Sequence, residues 1–232
     1  MRLSDLKAVN EARSRRRMCA VVTPLDGSPG RVVFAEDAAT DPLANILAAR
    51  FASAKSGREA EAGVFVRIHR PSPRLVIIGA VHVSQTLAPM AEAVGFEVTI
   101  VDPRGAFATE ERFGAFNLIA EWPDEELLKL DRETAVTTLT HDPKIDDPAL
   151  MAALKADCFY IGALGSRKTH AKRVDRMTAA GFGREAIDRI HAPIGLPIGA
   201  ASPPEIAVSV LAEVIAALRG AETRVAPQRQ AA

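Results

Sequence analysis

The apolar positions between residues 74 and 104 change period twice. Residues 75–78 (Leu-Val-Ile-Ile) are continuously apolar and rich in β-branching, the pattern of a strand buried on both faces of a parallel sheet. Gly79 follows, where a tight turn needs a residue tolerant of positive φ. Val83, Leu87, Met90, Ala91 and Val94 then recur at helical spacing, and Gly95 stops the predicted helix. A second apolar strand starts at Phe96 and ends in Asp102. This is a β-turn-α-β unit whose acid lies about 20 residues past the glycine, the offset of a ribose-binding carboxylate. A helix opening near His82 directs unpaired amides and a positive dipole end over the turn, which favours a phosphate there. Where G-x-G-x-x-G has its second and third glycines, the chain has Val81 and Ser84. The missing second glycine hinders close approach of a pyrophosphate, so the pattern fits ordinary bound NAD poorly. The bland alternative is a doubly wound fold whose nucleotide site has decayed.

The same alternation of apolar runs and helical periods continues downstream. Residues 117–120 read as a short strand, and Glu121-Trp122-Pro123-Asp124 as a loop into a helix through Leu127, Leu128 and Leu130. Trp122 is read as packing, with capping of a pocket as the alternative. Residues 134–139 form the next predicted strand, followed by the polar cluster 140–147 and a helix that Pro148 opens. Ligands of open α/β sheets sit outside the carboxyl ends of strands, so His141 and Asp142 are expected to hydrogen-bond a ligand. Asp146 or Asp147 is read as a helix cap. The spacing of these groups matches no metal-binding motif. Residues 157–161 are a further strand, and Gly165-Ser166-Arg167-Lys168 then opens a helix. Ser166 is an N-cap candidate, and Arg167 and Lys168 add positive charge where amides point outward, so a second anion seat is expected. The phosphate-loop spacing of NTPases is absent. Helices are predicted over 171–180 and 183–190, a Pro- and Gly-rich stretch over 191–199 that frames a cleft, and a closing helix opened by the capping box Ser202-Pro-Pro-Glu205.

Before residue 70 the periods are shorter. A thin amphipathic helix spans 4–17, and strands over 18–23 and 31–35 make a hairpin around the turn-forming stretch 24–30. Asp41 and Pro42 are expected to start a helix through Leu43, Ile46, Leu47 and Phe51 to Gly57, before a strand over 63–69. The predicted fold class is α/β. Residues 73–220 form a Rossmann-like parallel sheet with helices on both faces, and residues 1–70 a small N-terminal α/β module. Pro71-Ser72-Pro73 is a stiff connector, and 221–232 a loose tail.

Composition narrows the function. The 232 residues carry 29 basic and 29 acidic side chains, a balance that argues against a nucleic-acid binder. No apolar run is long enough for a membrane span, and no signal-peptide core opens the chain, so a reducing cytoplasm is the expected compartment. Cys19 and Cys158 do not make a disulfide framework. Cys158 is expected to be a buried thiol. Cys19 is either similar or activated by the arginines beside it.

Five segments in order resemble one family: Gly79-Ala-Val-His-Val-Ser84, Val101-Asp-Pro-Arg104, His141-Asp-Pro-Lys144, Tyr160-Ile-Gly-Ala-Leu-Gly-Ser-Arg167 and Gly199-Ala-Ala-Ser-Pro-Pro-Glu-Ile206. Over about residues 73–219 the chain resembles the Rossmann-type domain of the XdhC/CoxI family of molybdoenzyme maturation factors. The resemblance implies a non-catalytic carrier that binds the molybdenum cofactor (molybdopterin) as cargo. Such a carrier protects the cofactor, assists its sulfuration and delivers it to a xanthine dehydrogenase-type or CO dehydrogenase-type enzyme. The expected cofactor contacts are Gly79, Ala80, His82, Val83, Asp102, Arg104, His141, Asp142, Gly165, Ser166 and Arg167. The N-terminal match is poorer. Gly27-Ser28-Pro29-Gly30-Arg31 is a shifted echo of one family loop, and the family's glycine-glycine-cysteine segment has no counterpart. A partner such as a cysteine desulfurase would then supply sulfur, and a homodimer would help bury the small module. Two other classes compete. An NAD(P)-dependent oxidoreductase would use Asp102 to prefer NAD, partly offset by Arg104, but no tyrosine–lysine pair is present and Tyr160 lies in a strand. A pure interaction scaffold is the third.

Overall fold

The computed structural model describes residues 2–221, so the tail predicted over 221–232 lies, from residue 222 on, outside the described residues. The chain divides into two units, Met1–Ser72 and Pro73–Ala232.

In the first unit α1 (Leu3–Ser14) precedes strands β1 (Cys19–Pro24) and β2 (Arg31–Phe34). Helix α2 (Ala44–Ser53), β3 (Gly57–Glu59) and β4 (Val64–His69) complete it. The sheet is antiparallel, in the order β2-β1-β4-β3, and β1 and β2 form the predicted hairpin with Cys19 opposite Phe34. Alternate residues of β1 feed two cores. Ala20 and Val22 pack with Leu47 and Val66, while Cys19 and Val21 pack with Val9 and Ala12 of α1. The helix predicted from Asp41 starts later and stops sooner. The Asp41 carboxylate accepts from the Leu43 amide at 2.9 Å and from Arg31 Nη2 at 2.6 Å, so it braces a turn. Ala54 then adopts φ +52, and Gly57 belongs to β3, a strand the periodicity hides.

The second unit opens with β5 (Arg74–Ile78), α3 (His82–Ala93) and β6 (Glu97–Val101). One-turn helices α4 (Glu110–Phe113) and α5 (Glu125–Leu128) flank β7 (Asn117–Ile119). Then come β8 (Thr134–Thr138), α6 (Pro143–Lys155), β9 (Tyr160–Ala163), α7 (Arg167–Ala179), α8 (Arg184–Ile187), β10 (Ile190–His191) and α9 (Pro203–Arg219). The six strands of this sheet are parallel, in the order β10-β9-β8-β5-β6-β7. The sheet is doubly wound, and its order reverses between β5 and β8.

Both faces are covered, which is why the strands read as unbroken apolar runs. Leu75 and Ile77 point to the face closed by Leu87 of α3 and by Val210 and Val214 of α9. Val76 and Ile78 point to the face closed by Ile145 and Leu150 of α6 and Met177 of α7. Among the described residues no helix is long and apolar enough to cross a membrane.

Several expected boundaries move. Helix α6 opens at Pro143, not Pro148, because the Asp142 side chain caps the Lys144 amide at 2.9 Å. Pro148 lies inside that helix, and Asp146 and Asp147 are buried in it rather than capping it. Asp157 takes φ +57 and turns the chain, so β9 begins at Tyr160. The predicted 183–190 helix is one turn, followed by a sixth strand, β10. Trp122 is 58% exposed and is not core packing.

Helix α9 is tied to the sheet through a single carboxylate. Glu213 Oε2 accepts from Tyr160 Oη at 2.5 Å and from the Gly195 amide at 2.8 Å, while Oε1 lies 3.0 Å from His191 Nδ1. Tyr160 is buried, so its hydroxyl depends on that partner. Tyr160→Phe is expected to lower unfolding stability by about 1–2 kcal/mol, read from the urea midpoint at constant slope. An unchanged midpoint would show that α9 is held by apolar packing alone.

Candidate functional site

The reversal of strand order places a crevice at the carboxyl ends of β5 and β8. Gly79 leaves β5 at φ +115, and a Cβ built there would lie 2.8 Å from Thr140 Cγ2. The two strand ends touch, so glycine is required by both conformation and space. Ser84, at the position of the signature's third glycine, is buried and donates its hydroxyl to the Gly79 carbonyl at 2.5 Å. It fastens the turn that the missing glycines would otherwise shape.

Asp102 is fully buried, and both its oxygens are engaged. Oδ2 accepts from the Ala80 amide at 2.8 Å and Arg104 Nη2 at 2.7 Å. Oδ1 accepts from the Arg104 amide and Nε, each at 2.9 Å. The expectation that Asp102 takes a ribose diol is corrected by this geometry. The acid sits at the right offset but closes on its own turn and on Arg104. The Ala80 amide is likewise spent on Asp102 and is not a phosphate donor.

A cleft of about 450 Å³ opens beside the start of α3, lined by Val81, His82, Gln85, Ala106, Phe107 and Arg112. The amides of His82 and Val83 are the first of the helix and precede its intrahelical bonds. His82 is exposed, whereas the Val83 side chain is buried in the core. Phe107 is 43% exposed, with the Arg104 guanidinium 4.5 Å from its ring centroid. Arg112 donates to the carbonyls of Ala80 at 3.0 Å and Phe107 at 2.8 Å. The cleft offers an aromatic ring, the Arg112 guanidinium and a helix opening, and among the described residues no carboxylate lines it. Sequence reasoning missed Gln85, Phe107 and Arg112. Phe107 stands in an aromatic stretch without periodicity, the one signal that could have pointed to it.

The end of β8 is occupied differently. Thr140 Oγ1 donates to Asp146 Oδ1 at 2.7 Å and accepts from the Asp142 amide at 3.0 Å. His141 adopts φ +63 and turns its side chain outward, while Asp142 is committed to capping α6. At the end of β9, Gly165 takes φ +134, and Ser166 caps α7 by accepting from the Thr169 amide at 3.2 Å. A second cavity, about 230 Å³, is lined by His141, Pro143, Asp146, Lys168, Thr169, Lys172, Arg173 and Arg176. Arg167 is exposed and lines neither cavity; Lys168, one residue on, does. A wider hollow of about 680 Å³ lies toward the amino-terminal half of the sheet, by Arg74, Asn117 and Lys129. The carboxyl edge is preferred over it because the free helix amides are there.

Among the described residues no cluster of His, Cys, Asp and Glu could hold a metal ion. Both cysteines are buried. Burial, with Asp131 adding to it, pushes the Cys158 thiol up to about 12. Burial also raises Cys19 and outweighs the lowering by Arg17, so the activated alternative for this thiol does not hold.

Comparison with known proteins places this geometry in a family. A family model described as the XdhC Rossmann domain matches residues 75–214. The molybdenum cofactor insertion chaperone PaoD of Escherichia coli K12 is 36% identical over 145 residues, 62% of this chain and 40% of that protein. A Bacillus subtilis protein described as a probable subunit of xanthine dehydrogenase is 34% identical over 155 residues, 66% of this chain and 45% of that one. The chain thus spans less than half the length of either relative. The crystal structure of a xanthine dehydrogenase from Bacillus halodurans aligns with a TM-score of 0.66. The alignment covers 97% of this chain and 66% of that one at 24% identity, a likeness of fold.

Two outcomes follow from this geometry. Burial alone would raise the Asp102 carboxyl, but its bonds from the Arg104 side chain and the Ala80 and Arg104 amides hold it below the ordinary 3.8. Asp102→Asn puts an amide N–H against those donors and is expected to lose about 2–3 kcal/mol at pH 7. The folded carboxyl binds its proton less tightly than the unfolded one, so its stabilisation is present above pH 3.8 and fades as pH falls below that value. The gap in melting temperature between wild type and variant should therefore narrow in acid; a constant gap would refute the assignment. The thiols supply the other outcome. Burial holds both thiols, Cys19 and Cys158, above their ordinary range and away from reagents. An aromatic disulfide reagent should label neither cysteine until the protein is denatured; stoichiometric labelling of native protein would contradict this.

Proposed function

The chain belongs to the XdhC family through its Rossmann domain, and on that premise we propose that it carries the molybdenum cofactor to a xanthine dehydrogenase-type molybdoenzyme. The relative named as a molybdenum cofactor insertion chaperone supports the cargo, and the one described as part of a xanthine dehydrogenase supports the class of client. The carrying observation in the structure is the cleft at the start of α3. The half-exposed Phe107, with Arg104 stacked on one face of its ring, offers the other to a planar pterin; Arg112 supplies positive charge, and the first amides of α3, at His82 and Val83, lie at the helix opening. The apolar wall made by Val81 and Ala106 shields a reactive pterin from water without binding it covalently.

Two finer readings belong to this proposal. Any sulfuration of the cargo draws sulfur from another protein, a cysteine desulfurase by chemistry, because neither thiol of this chain is accessible or ionised. The proposed site of action is the cytoplasm. Nicotinamide chemistry is less well supported. Asp102 is closed off, Val81 crowds the pyrophosphate position, and Tyr160 is buried against Glu213 rather than facing the crevice.

Protein purified from a cofactor-competent host should release a fluorescent pterin after oxidation. Phe107→Ala should retain roughly 5- to 100-fold less at equal protein, the range for loss of one aromatic stacking partner. Adding loaded wild-type protein should activate an apo client enzyme faster than free cofactor does. Absence of pterin from the wild type, together with tight calorimetric binding of NADH, would replace this reading by the oxidoreductase.

A further inference from the structure

Helix α7 carries Lys168, Lys172 and Arg176 at four-residue spacing, with Thr169 and Arg173 in the adjoining row. These side chains, with His141, Pro143 and Asp146, line the cavity of about 230 Å³. Arg173 is only 2% exposed. Its Nη2 donates to the Leu164 carbonyl at 3.0 Å, while Nε and Nη1 are buried and have no partner among the described residues. Asp146 faces the same cavity with one oxygen bonded to Thr140 and its Oδ2 unpartnered among the described residues. The neighbouring Asp147 is taken by Arg176, at 2.5 and 3.0 Å. Lys168 and Lys172 are exposed at the mouth and engage no carboxylate among the described residues.

A buried guanidinium with idle donors is unfavourable, and native proteins rarely leave one so. Here three cations, Lys168, Lys172 and Arg173, converge on a cavity that contains one carboxylate with a free oxygen. Burial pushes the Asp146 carboxyl up, against the lowering by its Thr140 hydrogen bonds and by Arg173. The missing partner is therefore a group with several acceptor oxygens and at least one negative charge. The cavity is smaller than the roughly 300–1,000 Å³ of sites that hold a whole drug-sized ligand, so it receives the end of a ligand.

We propose that this cavity between α6 and α7 is a phosphoryl-binding subsite, with Arg173 as its buried anchor and Lys168 and Lys172 gripping the anion at the mouth. It differs from the anion seat expected at the α7 opening, which rests on the amides beside Ser166, because its buried anchor Arg173 lies further along the helix. The inference deepens the carrier reading by assigning the terminal phosphate of the cargo to a place, and rests on that reading only for the identity of the rest of the ligand.

Inorganic phosphate titrated into the full chain, against potassium chloride of matched ionic strength, tests the subsite directly. Phosphate should raise the melting temperature and give a saturable calorimetric isotherm. The double variant Lys168→Met, Lys172→Met should weaken binding at least about tenfold, as expected for loss of charge-assisted hydrogen bonds. Arg173→Lys should do the same, and the surface pair keeps the test decisive if that variant does not fold. No phosphate-specific effect, or equal affinity in wild type and the lysine variant, overturns the subsite. Pterin content of the same preparations separates the two readings: pterin retained without phosphate binding removes the subsite alone, and phosphate binding without pterin removes the carrier alone.

Discussion

Asp102 holds the carboxyl edge of the large sheet together. Its two oxygens collect four donors, from the Ala80 amide after β5 and from the Arg104 backbone and side chain after β6. The turn between β5 and α3 is thereby locked to the next strand, and Gly79 can sit against Thr140 with no room for a side chain. Arg104, fixed in turn by Asp102, is poised over Phe107. The helix opening, the aromatic face and the contact between the switch-point strands all follow from that one buried carboxylate.

The distribution of charge at this edge comes from how its acids are used. The chain is neutral overall, with equal numbers of acidic and basic residues. Yet Asp102 is spent on Arg104, Asp142 on the α6 cap and Asp147 on Arg176. Arg104 and Arg176 are thereby paired, while Lys168 and Lys172 on α7 engage no carboxylate among the described residues and stay available to an anion. The carrier proposed above would use such lysines to hold an anionic cargo.

The two cavities differ in chemistry. The cleft by Phe107 is broad, aromatic and free of acids among the described residues, suited to a flat heterocycle. The cavity by Arg173 is small and, Pro143 apart, is lined by polar and charged residues, suited to a compact anion. Each stands at the end of a parallel strand followed by a helix, so both are products of the doubly wound topology. Both thiols, Cys19 and Cys158, are buried, and neither lines either cavity.

The doubly wound fold was legible because its cause is local. An unbroken apolar run such as residues 75–78 marks a strand covered on both faces, and the capping box at Ser202 marks its helix by adjacent residues. The family motifs located the turns at Gly79 and Gly165 for the same reason. Boundaries failed where one residue type serves two local states. Pro148 reads as a helix start but sits inside α6, and β10 is too short to show a period. The roles of side chains were decided by tertiary structure alone. Asp102 stands at a ribose offset, yet its direction depends on Arg104 folding back. Arg173 is one basic residue among several on α7 until packing against α6 buries it. Periodicity shows which face a residue occupies; what that face meets, and which donors remain unpaired, is settled only when distant segments come together.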